Sequence, residues 1–311
     1  MKCLITGGAG FIGSQLTDFL LKKGHRVVVL DNLSWGRKEF IAHNFNNPKF
    51  TFLQIDLLDS KKLNSIIPKD IDTIFHLAAN SDIMRGATDP TIDLKNTTVA
   101  TFNVLQVMKE KKIKKIFFTS GSGVYGDVGR KYTSENFGPL LPISLYGATK
   151  LSAEALISSF VHLYDMQAWI LRPANIIGPR ATHGVIFDFI NKLKKNPHKL
   201  EILGDGEQSK SYLYVSDVLS AVDLVWRKSK KRINIYNIAS NSFITVTNIA
   251  KIVIQQMGLK EVKLIYTGGG RGWKGDVPVV RLTNKKIQKL GWRNKNTSRQ
   301  AVIKTAQAIL K

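Results

Sequence analysis

The sequence predicts an α/β fold in which a doubly wound parallel sheet is followed by a smaller α+β region, and three observations carry that prediction. Short β-branched and aromatic runs alternate with amphipathic stretches through the first half of the chain. A glycine-rich turn joins the first such run to the first amphipathic stretch. After Pro173 the alternation loosens into shorter elements and loops.

Taken in order, residues 3–6, 27–30, 50–55, 73–77 and 115–120 read as strands. Residues 11–22, 63–67, 91–109 and 146–164 read as the intervening helices, and residues 168–171 offer a sixth strand. The connections are expected to be right-handed crossovers. In the second part, residues 173–311, helices are expected at 185–194, 216–227, 246–257 and 298–310. Residues 212–215 and 234–238 resemble strands expected to return to the first unit, residues 1–172. Ligands of open α/β sheets lie outside the carboxyl ends of the strands, so the substrate is expected between the two parts.

Composition sets the outer bounds. A chain of 311 residues is long enough to bury a full core and carry a companion lobe. The chain opens on an apparent strand with no export leader, no apolar run approaches the roughly 20 residues that span a bilayer, and the single cysteine, Cys3, has no internal partner. A cytoplasmic protein without a membrane partner is expected. The formal charge of +23 brings nucleic acid into view. The basic clusters at 109–115, 192–199 and 227–232 sit at helix ends or in loops and match no nucleic-acid module, so the excess reads as solvated surface charge that also attracts anionic substrates.

The glycine-rich turn carries the first chemistry. Gly7, Gly10 and Gly13 stand in Thr6-Gly7-Gly8-Ala9-Gly10-Phe11-Ile12-Gly13, directly after a strand and at the start of a helix. Missing Cβ atoms permit a tight turn, let backbone N–H groups approach a pyrophosphate, and place it at the positive end of a helix dipole. Asp31 closes the second strand, where a carboxylate accepts hydrogen bonds from adenosine ribose hydroxyls and repels a 2′-phosphate. NAD is therefore expected, with Arg37 close enough in sequence to keep NADP in view. Asp56, past the third strand, either receives the adenine amino group or caps a turn.

Tyr146-Gly147-Ala148-Thr149-Lys150, with this glycine turn, resembles the extended short-chain dehydrogenase/reductase family. Further matches are Asp31-Asn32-Leu33, His76-Leu77-Ala78-Ala79, Val124-Tyr125-Gly126, Leu171-Arg172-Pro173-Ala174-Asn175, Gly178-Pro179-Arg180, and Gly204-Asp205-Gly206 leading to Tyr214-Val215-Ser216-Asp217. The resemblance is closest to the UDP-glucose 4-epimerase subgroup and implies a Rossmann sheet, a UDP-sugar substrate and cofactor contacts at Phe11, Ile12, Asn32, Leu57, Leu77, Ala78 and Ala79. It also implies a homodimer, because helices 91–109 and 146–164 resemble the pair that forms a four-helix contact in this family.

Tyr146 and Lys150 lie four apart on one helix face, where an ammonium is expected to lower the tyrosine pKa toward neutrality. Tyr146 then serves as general base on the sugar 4-hydroxyl, hydride passes to the nicotinamide, and its return to the other face of the sugar yields the C4 epimer. One departure stands out. Four residues before Tyr125 the family carries Ser or Thr, and this chain has Gly121. The flanking Ser120 and Ser122 are the candidate replacements, Ser122 favoured by the glycines on either side of it. Ser122 and Gly123 also occupy the positions where a 4,6-dehydratase is expected to show an acidic pair and a UDP-glucuronate decarboxylase a glutamate.

For the sugar nucleotide the resemblance implies Asn175, Gly184, Val185 and, beside the uracil, Leu203. Lys210 and Ser211 replace the usual Arg-Asp pair, turning a bidentate clamp into a point charge. Arg271 is the expected diphosphate ligand with Lys274 as a second candidate, Asp276 the expected ribose ligand, and Val280, being small, is expected to admit 2-acetamido sugars. Other nucleotide-sugar epimerases or dehydratases stay open as alternatives, as does a non-catalytic NAD sensor, against which Tyr146 and Lys150 argue and for which Gly121 argues.

Overall fold

The alternation of the sequence is realised as one parallel sheet with helices on both faces, in a computed structural model that describes residues 1–80, 82–273 and 275–311. The first half supplies β1 (Lys2–Thr6), β2 (Arg26–Asp31), β3 (Phe50–Gln54), β4 (Thr73–His76), β5 (Lys115–Thr119) and β6 (Gln167–Pro173). Between them run α1 (Phe11–Lys22), α2 (Ser60–Ile66), α3 (Ile83–Thr88), α4 (Pro90–Asp93), α5 (Ala100–Lys111) and α6 (Leu145–Leu163). The second half supplies β7 (Asn175–Ile177), β8 (Lys199–Ile202), β9 (Ser209–Lys210), β10 (Tyr212–Tyr214), β11 (Ile233–Ile238), β12 (Ile244–Thr245) and β13 (Lys263–Tyr266). Its helices are α7 (Val185–Lys195), α8 (Val215–Lys228), α9 (Val246–Gln256), α10 (Lys285–Lys289) and α11 (Ser298–Leu310).

The sheet order is β11-β6-β5-β4-β1-β2-β3, so the direction of winding reverses between β1 and β4 and opens a crevice at their carboxyl ends. Side chains alternate across each strand. Cys3, Ile5, Val27 and Val29 pack with Leu16 and Leu20 of α1 and Trp226 of α8 on one face. Leu4, Val28, Ile74 and Ile116 pack with Val104, Leu105 and Met108 of α5 and Ile157 of α6 on the other. A third core, Phe189, Ile190, Leu200, Ile252, Val253 and Val302, joins α7, α9 and α11 over β8 and forms the cap on the crevice.

Three differences from the sequence reading have physical causes. Residues 233–238 do return to the sheet, as β11 beside β6, but β10 pairs with β7 outside it. The long helix expected over 91–109 begins at Pro90, whose missing N–H suits a first turn capped by Asp89, and widens into a π-helical turn over Leu94–Val99 before α5. The segment 83–88, short and without clear periodicity, is helical as α3. The basic clusters begin in the last turns of α5, α7 and α8, where cations complement the negative end of the helix dipole, and run on into the segments that follow.

Candidate active site

A cavity of about 1020 Å³ fills the crevice, and its wall is built from the ends of β1, β2, β4 and β5, the start of α6, and the loops of the cap. At one end lies the glycine turn. A Cβ on Gly13 would collide with the carbonyl of Gly7, so α1 can approach the turn this closely only with glycine there. Asp31 is buried, its Oδ2 accepting the Ala9 N–H at 2.9 Å and its Oδ1 the Leu33 N–H at 2.9 Å. Burial pushes this carboxyl upward while the two backbone donors pull it down. Each oxygen keeps acceptor capacity for a ribose hydroxyl.

All the residues expected to hold the cofactor meet on this wall: Gly7, Gly10, Phe11, Ile12, Gly13, Asp31, Asn32, Asp56, Leu57, Leu77, Ala78, Ala79, Tyr146 and Lys150. Asp56 also caps its turn, accepting the Leu58 N–H at 2.9 Å, and receives Asn32 Nδ2 at 3.2 Å. The guanidinium of Arg37 lies over the Phe40 ring, 5.8 Å from its centroid, and is absent from the described wall, so it does not stand ready for a 2′-phosphate.

At the middle of the cavity Ser144 caps α6 by accepting the Gly147 N–H at 3.1 Å. A Cβ on Gly147 would stand 2.6 Å from the Gly123 carbonyl, and this close approach seats Tyr146 against the loop that follows β5. Lys150 is 3% exposed; its Nζ donates to the Thr119 carbonyl at 2.8 Å and lies 5.6 Å from the centroid of the Tyr146 ring.

The pair is therefore together, but its electrostatics correct the sequence expectation. Burial, seconded by the charge of Asp93, pushes the Tyr146 phenol up to about 12 instead of toward neutrality. Lys150 is lowered to about 8 by burial, against the pull of Asp93 and Glu154. The ammonium is spent on a carbonyl and the ring face, not on the phenol oxygen.

Of the two candidate hydroxyls, Ser120 is committed elsewhere: it is 2% exposed and its Oγ donates to Glu154 Oε1. Glu154 in turn pairs with Arg172, which donates Nε at 3.0 Å and Nη2 at 2.6 Å and also reaches Tyr125 Oη at 3.0 Å. That network ties β6 to α6 and engages the Ser120 proton, while Ser120 also lines the cavity and its oxygen keeps acceptor capacity. Ser122 lines the cavity and, among the described residues, makes no side-chain hydrogen bond within the chain.

At the far end the cavity is lined by Asn175, Gly184, Val185, Leu203, Lys210, Asp276 and Val280. Asp276 is 3% exposed and accepts Lys210 Nζ at 2.6 Å and the Gly272 N–H at 3.1 Å. Arg271 is the second correction. Its Nη1 donates to the Asp276 carbonyl at 2.7 Å and its Nη2 to Asp127 at 2.7 Å, so its guanidinium braces the loop and is absent from the described wall. Lys274 lies outside the described residues. Sequence reasoning missed Tyr212, which stands opposite Asn175 in the parallel β7–β10 pair, and Trp273, whose ring lies beneath Lys210 at 5.3 Å. The parallel register that pairs Tyr212 with Asn175 has no local signal, whereas an aromatic beside Arg271 in a glycine loop was visible.

The model of the NAD-dependent epimerase/dehydratase family matches residues 3–239, three quarters of the chain. The chain belongs to that family. This makes it an NAD-dependent enzyme, in agreement with the glycine cradle and the Asp31 carboxylate. A putative UDP-glucose 4-epimerase of Methanocaldococcus jannaschii is 34% identical over 93% of this chain and 92% of its own length. A crystal structure of a UDP-galactose 4-epimerase superposes with a TM-score of 0.89 at 38% identity, covering 100% of this chain and 99% of that one. The Thermus thermophilus UDP-glucose 4-epimerase, solved with NAD, has a TM-score of 0.88 at 28% identity over 100% and 99% of the two chains. A dTDP-D-glucose 4,6-dehydratase and a UDP-glucuronic acid decarboxylase also stand among the relatives of this epimerase/dehydratase family member.

Proposed function

We propose that this family member is a cytoplasmic, homodimeric UDP-hexose 4-epimerase. The observation that carries the reading is the junction of three features in one cavity: a dinucleotide cradle, the Tyr146–Lys150 pair, and a loop whose positions 122 and 123 are serine and glycine. A dehydratase or decarboxylase needs an acid or base at the sugar carbons beyond C4, and neither Ser122 nor Gly123 supplies a carboxyl.

When bound, NAD supplies a reversible hydride acceptor. Tyr146, as a phenolate steadied by the nearby charge of Lys150, takes the proton from the sugar 4-hydroxyl and becomes the phenol, and Ser122 orients the hydroxyl. The 1020 Å³ of the cavity gives the oxidised sugar room to present its other face, after which Tyr146 returns the proton. Lys210, Asn175, Gly272, Trp273, Gly275 and Asp276 hold the nucleotide at the other end. Val280 lines the cavity, and its small side chain supports acceptance of a 2-acetamido sugar. The dimer reading draws support from exposed apolar side chains on the segments leading into and forming α5 and α6: Leu94 at 52%, Phe102 at 41% and Leu163 at 71%.

The test is conversion of UDP-galactose, and separately of UDP-N-acetylgalactosamine, in the presence of NAD, with Tyr146→Phe as control. Both are expected to give their C4 epimers, and the control to lose on the order of 100-fold or more in turnover. Failure of both substrates with a protein that binds NAD refutes the reading.

A further inference from the structure

Two of the three basic clusters meet at one end of the sheet. β5, β6 and β11 are parallel neighbours, so residues 109–115, which lead into β5, and residues 228–232, which lead into β11, flank the start of β6. Hydrogen bonds stitch them there: the Gln167 N–H donates to the Lys114 carbonyl at 2.7 Å, Gln167 Nε2 to the Lys231 carbonyl at 3.0 Å, and the Ala168 N–H to the Arg232 carbonyl at 2.8 Å. Neighbouring strands lie about 4.8 Å apart, so the two clusters stand about 10 Å from each other. Over 109–115, 164–167 and 228–232 the chain carries nine cations, eight of them lysine, against two carboxylates, Glu110 and Asp165.

Little at this edge neutralises them. Asp165 takes Arg232 at 3.2 Å in a pair exposed on both sides, and such pairs are weak. Glu110 accepts from Asn64. Lys114 and Lys228 donate to the Tyr164 and Leu290 carbonyls, which leaves their charge uncancelled. Lys112, Lys115, Lys230 and Lys231 are exposed and, among the described residues, have no side-chain hydrogen bond or ion-pair partner. A hollow of about 300 Å³ opens between Lys114, Lys115, Lys230 and Arg232. The spacing of the clusters is close to the screening length, about 8 Å at physiological salt, so the lysines act jointly on an approaching charge.

The same edge lacks what a nucleic acid or a single phosphate group would use. α5, α6 and α8 all reach it by their carboxyl ends, so it offers no helix N-terminal amides to a phosphate. Lysine has no planar fork for bidentate phosphate contact. Tyr164 is tilted against Phe160, with ring centroids 5.1 Å apart, and Lys109 covers it at 4.9 Å, while Trp169 is buried; among the described residues no ring at this edge is open to a base. What remains is a broad, lysine-rich field without a register, which suits a surface of many mobile anionic groups.

We propose that the amino-terminal edge of β5, β6 and β11 docks on an anionic membrane surface, through attraction between its lysines and lipid headgroups. No helix among the described residues is long and apolar enough to cross a membrane, and a surface contact asks for none. Docking of this kind replaces the sequence expectation of no membrane partner, which rested on spanning segments. The candidate active site opens at the carboxyl ends of the same strands, which at about 3.3 Å per residue lie roughly 13–20 Å away. A docked protein therefore keeps its crevice open to solvent. None of the nine cations belongs to the described wall of that cavity, so docking and the sugar reaction stand or fall separately.

The NAD-loaded full chain is sedimented with vesicles of phosphatidylcholine alone and of phosphatidylcholine with about 30% phosphatidylserine, at about 0.15 M and about 0.5 M salt. Binding is expected only to the anionic vesicles, and it is expected to fall steeply at the higher salt. Each lysine near such a surface strengthens binding about fivefold. The variant Lys112→Gln, Lys115→Gln, Lys230→Gln, Lys231→Gln is therefore expected to bind on the order of 100-fold or more weakly. A second variant, Lys61→Gln, Lys62→Gln, Lys251→Gln, Lys260→Gln, makes the same change in net charge at exposed lysines on α2, on α9 and after it, and is expected to keep most of the binding.

Equal loss in the two variants overturns the proposal, because net charge and not this edge would then be at work. So does a failure to sediment with the phosphatidylserine vesicles at about 0.15 M salt, whether or not the protein retains an RNA or DNA duplex that the same four substitutions release. Both variants are checked for native NAD content and thermal midpoint. Where the first folds poorly, its halves, Lys112→Gln with Lys115→Gln and Lys230→Gln with Lys231→Gln, carry the comparison separately, each expected to lose roughly 25-fold. Vesicle binding by a protein that converts neither sugar nucleotide would leave the docking edge in place and remove only the epimerase reading.

Discussion

Replacing Gly121 by serine puts a hydroxyl where the geometry has room for one beside the reacting tyrosine. Gly121 has an extended backbone, φ −172° and ψ 164°, which any residue adopts without strain. A Cβ built there stands 3.7 Å from Tyr146 Cε1 and 3.9 Å from Tyr146 Oη, ordinary contact distances, so the added Oγ reaches a hydroxyl bound at the phenol. A hydrogen bond to an oxygen that develops charge is worth about 1.5–3 kcal/mol, which at 1.4 kcal/mol per decade is roughly 10–100-fold in rate.

How much of this appears depends on what Ser122 already supplies, so four proteins are compared at saturating UDP-galactose: the native chain, Gly121→Ser, Ser122→Ala and the double variant. Ser122→Ala is expected to lose roughly 10–100-fold by the same arithmetic, the double variant to regain most of it, and Gly121→Ser alone to gain little. A double variant as slow as Ser122→Ala, with NAD content and thermal midpoint unchanged, would refute the claim that position 121 commands the reacting hydroxyl. Loss-free turnover in Ser122→Ala would remove Ser122, and the same result in Ser120→Ala would show that neither native serine has the role.

Gly13→Ala forces a methyl group against the Gly7 carbonyl and must spread the turn; at about 1–3 kcal/mol for such overpacking, NAD affinity measured by calorimetry is expected to weaken on the order of 10–100-fold, and an unchanged affinity would count against the cradle. Glu154→Leu leaves the Arg172 guanidinium, 4% exposed at its side chain, without its carboxylate. Breaking a buried pair costs about 3–5 kcal/mol, which for a chain of this size is a fall of roughly 10 °C in thermal midpoint; a change of less than about 2 °C would mean that Tyr125 suffices to answer the buried guanidinium.

What the sequence made legible was whatever depends on local rules. Near-continuous apolar runs in 3–6 and 27–30 specify strands buried on both faces, glycines at 7, 10 and 13 specify a turn that side chains would block, and the four-residue spacing of Tyr146 and Lys150 places them on one face of α6. Each of these follows from backbone geometry within a dozen residues. The π-helical turn over Leu94–Val99 was not legible, because nothing in its side chains distinguishes it from the α-helix on either side. Nor was the fully buried state of Asp93, which depends on Gly86 folding back from a helix too short to announce itself.

The pairing of charges is the part that a one-dimensional reading could not reach, and the reason lies in the composition. With 46 basic residues for 23 acidic ones, every carboxylate has two cations to choose from on average, and burial, not sequence distance, selects between them. Arg271 and Lys210 both converge on Asp276, one on its carbonyl and one on its carboxylate, while Asp127, 144 positions away from Arg271, takes the remaining guanidinium nitrogen. Glu154 takes Arg172 rather than Lys150, four residues from it on the same helix, and Lys150 turns to the Thr119 carbonyl instead. The working charge of the site is therefore what remains after the structural pairs have formed. An excess of surface lysines changes how fast an anionic substrate arrives; the few buried acids decide which cation is still free when it does.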